Sequence, residues 1–311
     1  MLRRTWCKAT LVALASTIGV DHAAAAPFRL GRLLIIGGAE DKIEETEILR
    51  RFVELSGGAA APLGVITAAS ASPQSAWDDY KTVFSRLGVN DVVHLDVEAR
   101  ALDEAANNLL ACRGVFMTGG DQARLMQAIG STPVAAALHR SYHDQGVCIA
   151  GTSAGAAVMS RYMLARGTAL VVPEKDGVSM DLGLGLVPQA VIDQHFSERR
   201  RLSRLLSALA RRPDMMGLGI DENTAVLIEP TKALEVIGAG SATIVDCAEM
   251  VSNVDEVEDA AKLEMLGMKL HILPSGQRYQ VSFGTRTGTV GPGGIHQAIR
   301  RLVSPGPIRI A

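Results

Sequence analysis

The sequence carries little net charge for its length. Its 311 residues include 31 lysines and arginines and 33 aspartates and glutamates, which leaves a formal net charge of -2 at pH 7. Bulk electrostatic attraction to nucleic acid or to an anionic membrane needs a clear basic excess, so this balance argues against both partners. A hydrophobic fraction of 48% with a charged fraction of 21% is typical of a well-packed globular protein and excludes a disordered chain.

Long hydrophobic runs are also missing. The apolar run ATLVALASTIGV (9–20) is too short to span a membrane. It follows the basic segment MLRRTWCK and precedes DHAAAA, an order that is typical of an export signal. The sequence therefore predicts a signal peptide over residues 1–25, an exported protein that is periplasmic or extracellular, and a single domain over residues 27–311.

Cysteine is scarce, and its spacing fits no metal site. Cys112, Cys148 and Cys247 remain once the predicted signal peptide is removed, and an odd number leaves at least one free thiol unless chains are bridged. The first two lie in or beside apolar strand-like runs, so we expect them to be buried and structural. No metal or cofactor is predicted.

Apolar strand-like runs alternate with helical patterns along the first half of the chain. Helices are predicted at about residues 43–55, 75–87, 102–110, 122–129 and 133–143. This alternation predicts an α/β fold with a parallel sheet that helices cover on both faces. Ligand and catalytic sites in such sheets lie beyond the carboxyl ends of the strands.

Three glycine-rich turns follow predicted strands at that edge: IIGGAEDK, FMTGGDQ and AGTSAG. The last has the G-x-S-x-G pattern of a nucleophile elbow, in which Ser153 lies on a tight turn between a strand and a helix. On this pattern alone, a structural glycine-rich turn explains the segment equally well. The amides of Ala154 and Gly120 are the predicted donors of an oxyanion hole.

A serine nucleophile needs a base, and the base needs an acid that holds its tautomer. His195 is the best-placed histidine, because it ends the apolar run AVI just before a predicted helix. Four acidic residues in two segments could orient it, and the residues alone leave the choice open. These are Asp221 or Glu222 in GIDENTAV, and Glu174 or Asp176 in the loop after the elbow.

The helix that follows His195 is rich in arginine. Its leucines at 202, 205, 206 and 209 share one face, which places Arg204 on the opposite side of the helix. Taken without further information, the arginines are explained by a solvated helix face.

Five blocks carry a specific resemblance. IIGGAEDK, TGGDQ, GTSAGA, DQHFSERRRLSRL and GLGIDENTA, in this order and spacing, resemble the cyanophycinase family of serine peptidases, which is related to aspartyl dipeptidase. The resemblance extends from about Leu33 to Glu229. It implies a class I glutamine-amidotransferase-like (flavodoxin-like) fold and a homodimer. It also implies that Ser153 is the nucleophile, His195 the base and Glu222 the orienting acid.

The resemblance further implies the substrate and the residues that bind it. Cyanophycin has a polyaspartate backbone that carries arginine on each side-chain carboxyl, and the implied activity is an exopeptidase that releases β-Asp-Arg dipeptides. The implied substrate-binding residues are Gln122, Asp193, Gln194, Arg199, Arg201 and Arg204.

Two other functions compete with this one. An aspartyl dipeptidase would act on small Asp-X peptides, and a binding protein on the same fold would have no activity. An amidotransferase is disfavoured, because Ser153 occupies the position at which those enzymes use cysteine.

Overall fold

The computed structural model describes residues 30–98, 100–167, 170–281 and 293–305. The predicted signal peptide lies outside these residues. The strands are β1 (Arg32–Ile36), β2 (Leu63–Ile66), β3 (Val92–His94), β4 (Gly114–Met117), β5 (Cys148–Thr152), β6 (Tyr162–Arg166), β7 (Ser179–Leu182), β8 (Ala190–Gln194), β9 (Met216–Ile220), β10 (Thr224–Glu229), β11 (Ala233–Gly238), β12 (Ser241–Asp246), β13 (Val251–Ser252), β14 (Met265–Leu266), β15 (Lys269–Pro274) and β16 (Arg278–Gln280). The helices are α1 (Glu47–Leu55), α2 (Pro73–Arg86), α3 (Leu102–Ala111), α4 (Gln122–Ile129), α5 (Pro133–His143), α6 (Ala154–Ala157), α7 (Leu202–Arg211) and α8 (Gly293–Val303).

The main sheet has the strand order β16-β11-β10-β1-β5-β4-β2-β3. Strands β1 to β5 are all parallel within it, and β10, β11 and β16 extend the sheet beyond β1 in antiparallel pairs. The parallel strands and the helices that flank them confirm the predicted α/β fold.

Both faces of this sheet are buried. Leu33 and Ile35 of β1 pack into one apolar cluster with residues of α3 and α5, whereas Leu34 and Ile36 pack into another with residues of α1 and α2. Alternate side chains of one strand therefore enter different cores, which explains why the strand reads as a continuous apolar run.

A second, four-stranded sheet carries the next part of the candidate site. Its order is β15-β12-β9-β8, with β8 and β9 parallel and the other pairs antiparallel. Helix α7 packs on β8 and β9. Between β9 and β10, at residues 221–223, the chain passes from the second sheet back to the main sheet.

Helices α4 and α5 have the predicted bounds, but α1 begins at Glu47 instead of near Ile43. The carboxylate of Asp41 accepts hydrogen bonds from the backbone N–H groups of residues 43–46, which holds this segment in a turn. These bonds also hold the pKa of Asp41 well below its ordinary value. Among the helices of the described residues, none is long and apolar enough to cross a membrane.

Candidate active site

Ser153 lies on a sharp turn between β5 and α6. Its backbone has φ 51° and ψ -111°, a strained conformation for a residue other than glycine. The turn depends on glycine at both flanks. A Cβ atom at Gly151 would lie 2.2 Å from the carbonyl oxygen of Gly155, and one at Gly155 would lie 2.3 Å from that of Met117. This is the geometry of a nucleophile elbow.

His195 follows β8 and faces the serine. Its Nε2 atom lies 2.9 Å from Ser153 Oγ. The backbone N–H of His195 donates to the carbonyl of Gly37 at 2.7 Å. A Cβ atom at Gly38 would lie 2.3 Å from the imidazole carbon Cε1, so only glycine leaves room for the ring. The end of β1 therefore sets the position of the histidine.

Glu222 completes a chain of hydrogen bonds. Its Oε1 atom lies 2.6 Å from Nδ1 of His195, on the opposite side of the ring from the serine. Its neighbour Asp221 is buried and instead accepts hydrogen bonds from Ser197 and Ser241. Of these two adjacent acids, Glu222 is the one that meets the imidazole.

The competing acids after the elbow lie elsewhere. The backbone N–H of Glu174 donates to Ser207 Oγ at 2.9 Å, and the backbone of Glu174 pairs with that of Lys262 in an isolated antiparallel β-bridge. Asp176 pairs with Arg211. Neither carboxylate contacts His195.

The surroundings of His195 favour a neutral imidazole. Burial lowers its pKa below the ordinary value, the hydrogen bond to the Glu222 carboxylate acts in the opposite direction, and the positive charge of Arg199 lowers the pKa again. A neutral ring that donates from Nδ1 to the carboxylate leaves Nε2 free to accept the proton of Ser153.

The turn after β4, which carries the predicted oxyanion-hole residue Gly120, lies beside the serine. A Cβ atom at Gly119 would lie 3.3 Å from the Cβ of Ser153, so the turn after β4 packs directly against the elbow. Gly120 has φ 141°, and a Cβ atom there would lie 2.0 Å from the carbonyl oxygen of Ala69. Ala154 is the first residue of α6, where a backbone N–H has no partner within the helix.

Asp193 and Arg204 form a buried pair. Arg204 Nε lies 2.8 Å from Asp193 Oδ2, and Arg204 Nη2 lies 2.5 Å from Oδ1. The two residues are 0% and 6% exposed. Burial raises the pKa of Asp193, and the two arginines Arg204 and Arg201 act in the opposite direction. A solvated helix face is wrong for Arg204, because this residue is buried and its guanidinium packs against Asp193 of β8.

Three more of the predicted substrate-binding residues are also held by the protein. Arg201 Nη1 donates to the carbonyl of Gln194 at 2.5 Å, and Gln194 itself is buried. Gln122 Nε2 donates to the carbonyl of Leu164 at 2.7 Å. Arg199 differs, because its side chain is exposed while its charge acts on His195. Of the predicted arginines, it is the one with open access to solvent.

The glycines after β1 are functional residues that the sequence reasoning missed. The glycine pair GG was noted only as a turn, yet Gly37 and Gly38 contact His195. The carbonyl of Gly38 also accepts a hydrogen bond from the N–H of Asn223, next to Glu222. A glycine pair at the carboxyl end of a parallel strand was the available signal.

A profile of peptidase family S51 matches residues 33–236. The chain belongs to peptidase family S51. It is accordingly a serine-type peptidase, a hydrolase, as the resemblance in the sequence predicted. The cyanophycinase of Geminocystis herdmanii (strain PCC 6308) is 41% identical over 251 residues, which are 79% of this chain and 92% of that protein. The cyanophycinase of Trichormus variabilis (strain ATCC 29413 / PCC 7937) is 41% identical over 253 residues, 80% of this chain and 85% of that protein.

The fold of this S51 chain is similar to a solved structure. A peptidase from an acI-B1 Actinobacterium superposes with a TM-score of 0.55 at 19% identity, over 81% of this chain and 97% of that one. At this identity the likeness concerns the fold alone.

The three thiols among the described residues lie in environments that disfavour the reactive thiolate. Cys112, Cys148 and Cys247 are all buried and free. Burial raises the pKa of Cys148 to about 12 and that of the other two to about 11. Since the thiolate is the nucleophilic form, Cys148 is unsuited to replace Ser153 in catalysis at neutral pH.

Proposed function

We propose that this chain is an exopeptidase that hydrolyses cyanophycin to β-Asp-Arg dipeptides. The observation that carries the proposal is the hydrogen-bonded chain from Ser153 through His195 to Glu222. The curated relatives at 41% identity, which are cyanophycinases, supply the substrate.

In the proposed reaction, His195 Nε2 takes the proton of Ser153 Oγ while the oxygen attacks a backbone aspartyl carbonyl. The amides of Ala154 and Gly120 donate to the oxyanion of the tetrahedral intermediate. The C–N bond breaks as His195 returns the proton to the leaving amine, which leaves an acyl group on the serine. A water molecule, deprotonated by the same histidine, then attacks the acyl carbon and restores the hydroxyl. Glu222 stabilises the imidazolium at each stage.

Recognition of the polymer is proposed to begin at Arg199. The arginines attached to the substrate backbone carry free carboxylates, and an exposed guanidinium beside the proposed base is suited to bind one of them through paired hydrogen bonds. Asp193, Arg204, Arg201, Gln194 and Gln122 are proposed to support the substrate pocket. Their hydrogen bonds to other parts of the protein argue that they act largely by shaping it.

The decisive experiment uses the mature protein and insoluble cyanophycin. Wild type and Ser153→Ala are incubated with the polymer, and soluble products are identified by mass. Release of the Asp-Arg dipeptide by wild type alone is the expected result. Hydrolysis of small Asp-X peptides with no release from the polymer would replace the proposal by an aspartyl dipeptidase. Inactivity on both substrates would favour a binding protein.

We also propose that the protein is exported and dimeric. The N-terminal segment supports export, and N-terminal sequencing of protein from a cell fractionation tests for cleavage near Ala25.

Strand β15 supports a dimer. It is an edge of the second sheet with two exposed apolar side chains, Leu270 at 51% and Ile272 at 63%. Light scattering on wild type and Ile272→Lys tests this, and an unchanged dimer would exclude this surface.

A further inference from the structure

A buried carboxylate lies behind the elbow and has no part in the proposed mechanism. Glu40, in the loop between β1 and α1, has a side chain that is 1% exposed. Its Oε2 atom accepts a hydrogen bond at 2.5 Å from the hydroxyl of Thr152, the residue before Ser153. Its Oε1 atom accepts one from Tyr80 and lies 3.1 Å from Lys42 Nζ. Buried charges are retained only where such partners satisfy them.

The segment from the end of β1 to Glu40 is hydrogen-bonded to the backbone at or beside each residue of the candidate triad. The carbonyls of Gly37 and Gly38 accept hydrogen bonds from the backbone N–H groups of His195 and Asn223 at 2.7 and 2.8 Å. The carbonyl of Ile36, the last residue of β1, accepts a hydrogen bond from the N–H of Ser153 at 3.0 Å. The bond between Glu40 and Thr152 adds a side-chain contact to this set, as does the bond from the N–H of Asp41 to Asn223 Oδ1.

We propose that Glu40 is a positioning residue for the nucleophile, because its bond to Thr152 fixes the end of β5 from which Ser153 projects. The inference rests on the proposed role of Ser153. A strained backbone such as that of Ser153 persists only where its surroundings over-determine it. Release of Thr152 lets this turn relax, and a displacement of about 1 Å at a reacting atom costs up to about 100-fold in rate.

The second carboxylate oxygen of Glu40, Oε1, is held by Tyr80. Burial, together with the charge of Glu40, raises the pKa of Tyr80 well above its ordinary value. The phenol therefore stays protonated and continues to donate to Glu40 across the neutral and mildly alkaline range. Tyr80 belongs to α2, so Glu40 connects the elbow to a helix packed on the sheet.

Two substitutions of one residue isolate the bond. Thr152→Val keeps the branched shape and removes the hydroxyl, whereas Thr152→Ser keeps the hydroxyl. The readouts are kcat and KM on cyanophycin, and the rate at which a fluorophosphonate labels Ser153. We expect Thr152→Val to lower kcat and the labelling rate roughly tenfold with KM within about twofold, and Thr152→Ser to stay close to wild type.

Thr118 offers a matched control. It follows β4, the strand next to β5, and its buried hydroxyl has no hydrogen-bond partner among the described residues. Thr118→Val therefore makes the same chemical change without breaking a hydrogen bond, and we expect wild-type rates.

Glu40→Gln changes the bond between Glu40 and Thr152 from the other partner. Combined with Thr152→Val, it should lower the labelling rate by less than the product of the two single effects, because the bond to Thr152 is shared and only the contacts of Glu40 with Tyr80 and Lys42 remain to be changed.

The outcomes separate this inference from the proposed function. If wild type shows no label on Ser153, the nucleophile assignment fails first. If wild type is labelled and Thr152→Val reacts at the same rate, Glu40 does not position the serine. An equal loss in Thr152→Val and Thr152→Ser would also overturn the inference, because packing and not the hydroxyl would then be responsible. Thermal unfolding shows whether each variant is folded. If Glu40→Gln does not fold, the comparison of Thr152→Val with Thr152→Ser decides whether the bond to Glu40 positions the serine.

Discussion

Asp193 and His195 lie two residues apart at the end of the same strand, yet their surroundings are opposite. Asp193 is fully buried, and its carboxylate is held by Arg204. His195 bridges two half-exposed side chains, Ser153 and Glu222. One short segment thus carries both the proposed base and a buried ion pair at the end of the same strand.

The arginines that follow repeat the contrast. Arg199 is exposed and acts on His195 through its charge, whereas Arg204 is buried and acts on Asp193 through hydrogen bonds. Sequence proximity and a shared charge therefore do not imply a shared role. The following predictions distinguish the side chains proposed to take part in the reaction from those proposed to support the end of β8.

The largest effect is expected at the acid. Glu222→Gln removes the carboxylate that holds the tautomer of His195 and stabilises the imidazolium, so we expect kcat to fall roughly 100- to 10,000-fold. Glu174→Gln is the matched control, since Glu174 does not contact the imidazole. Turnover on cyanophycin measures both. A larger loss in Glu174→Gln would contradict the assignment.

The next effect is on stability. Arg204→Met leaves the buried carboxylate of Asp193 with only its longer contact to Arg201, at 3.5 Å. Breaking a buried ion pair in this way lowers the free energy of unfolding by about 3–5 kcal/mol. Arg199→Met changes an exposed side chain and should leave the melting temperature almost unchanged. Denaturant unfolding compares the two variants. Equal stability would mean that the buried pair does not support the strand end.

A smaller effect is expected on the pH dependence of activity. The positive charge of Arg199 lowers the pKa of His195, and the base must be neutral to act, so activity rises as pH increases through that pKa. Arg199→Gln should move this acidic limb of kcat/KM to higher pH and raise KM severalfold through loss of a carboxylate partner. An unmoved limb with an unchanged KM would place Arg199 outside the site.

The smallest effect is expected from thiol reagents. The three thiols of the predicted mature chain, all among the described residues, are buried, and their raised pKa values suppress the thiolate at neutral pH. Treatment of the native protein with iodoacetamide should therefore leave turnover unchanged. Complete inhibition would reopen a cysteine-dependent reaction.

The sequence signals for the elbow and for the histidine are local. A strand, a glycine-flanked turn and a helix predict the position of Ser153, and a histidine at a strand end predicts His195. The choice of Glu222 over Asp221 had no local signal, since the two are adjacent and differ only in which way the turn directs them. The family resemblance supplied that assignment.

The burial of Arg204 could not be read from periodicity. The leucine stripe of α7 identifies one buried face, but the helix is covered on both sides, by the apolar cluster and by Asp193 on β8. The separation of β8 and β9 into a second sheet was likewise missed. Their apolar runs resemble those of the main sheet, and pairing depends on contacts distant in sequence.

The most direct test of the account is the chemical reactivity of Ser153. Wild type, His195→Ala and Ser153→Ala are treated with a fluorophosphonate, and the modified residue is located by mass spectrometry. The account predicts a single adduct on Ser153 in wild type, very slow labelling in His195→Ala and none in Ser153→Ala. Labelling of His195→Ala at the wild-type rate would contradict the central claim that this histidine activates this serine.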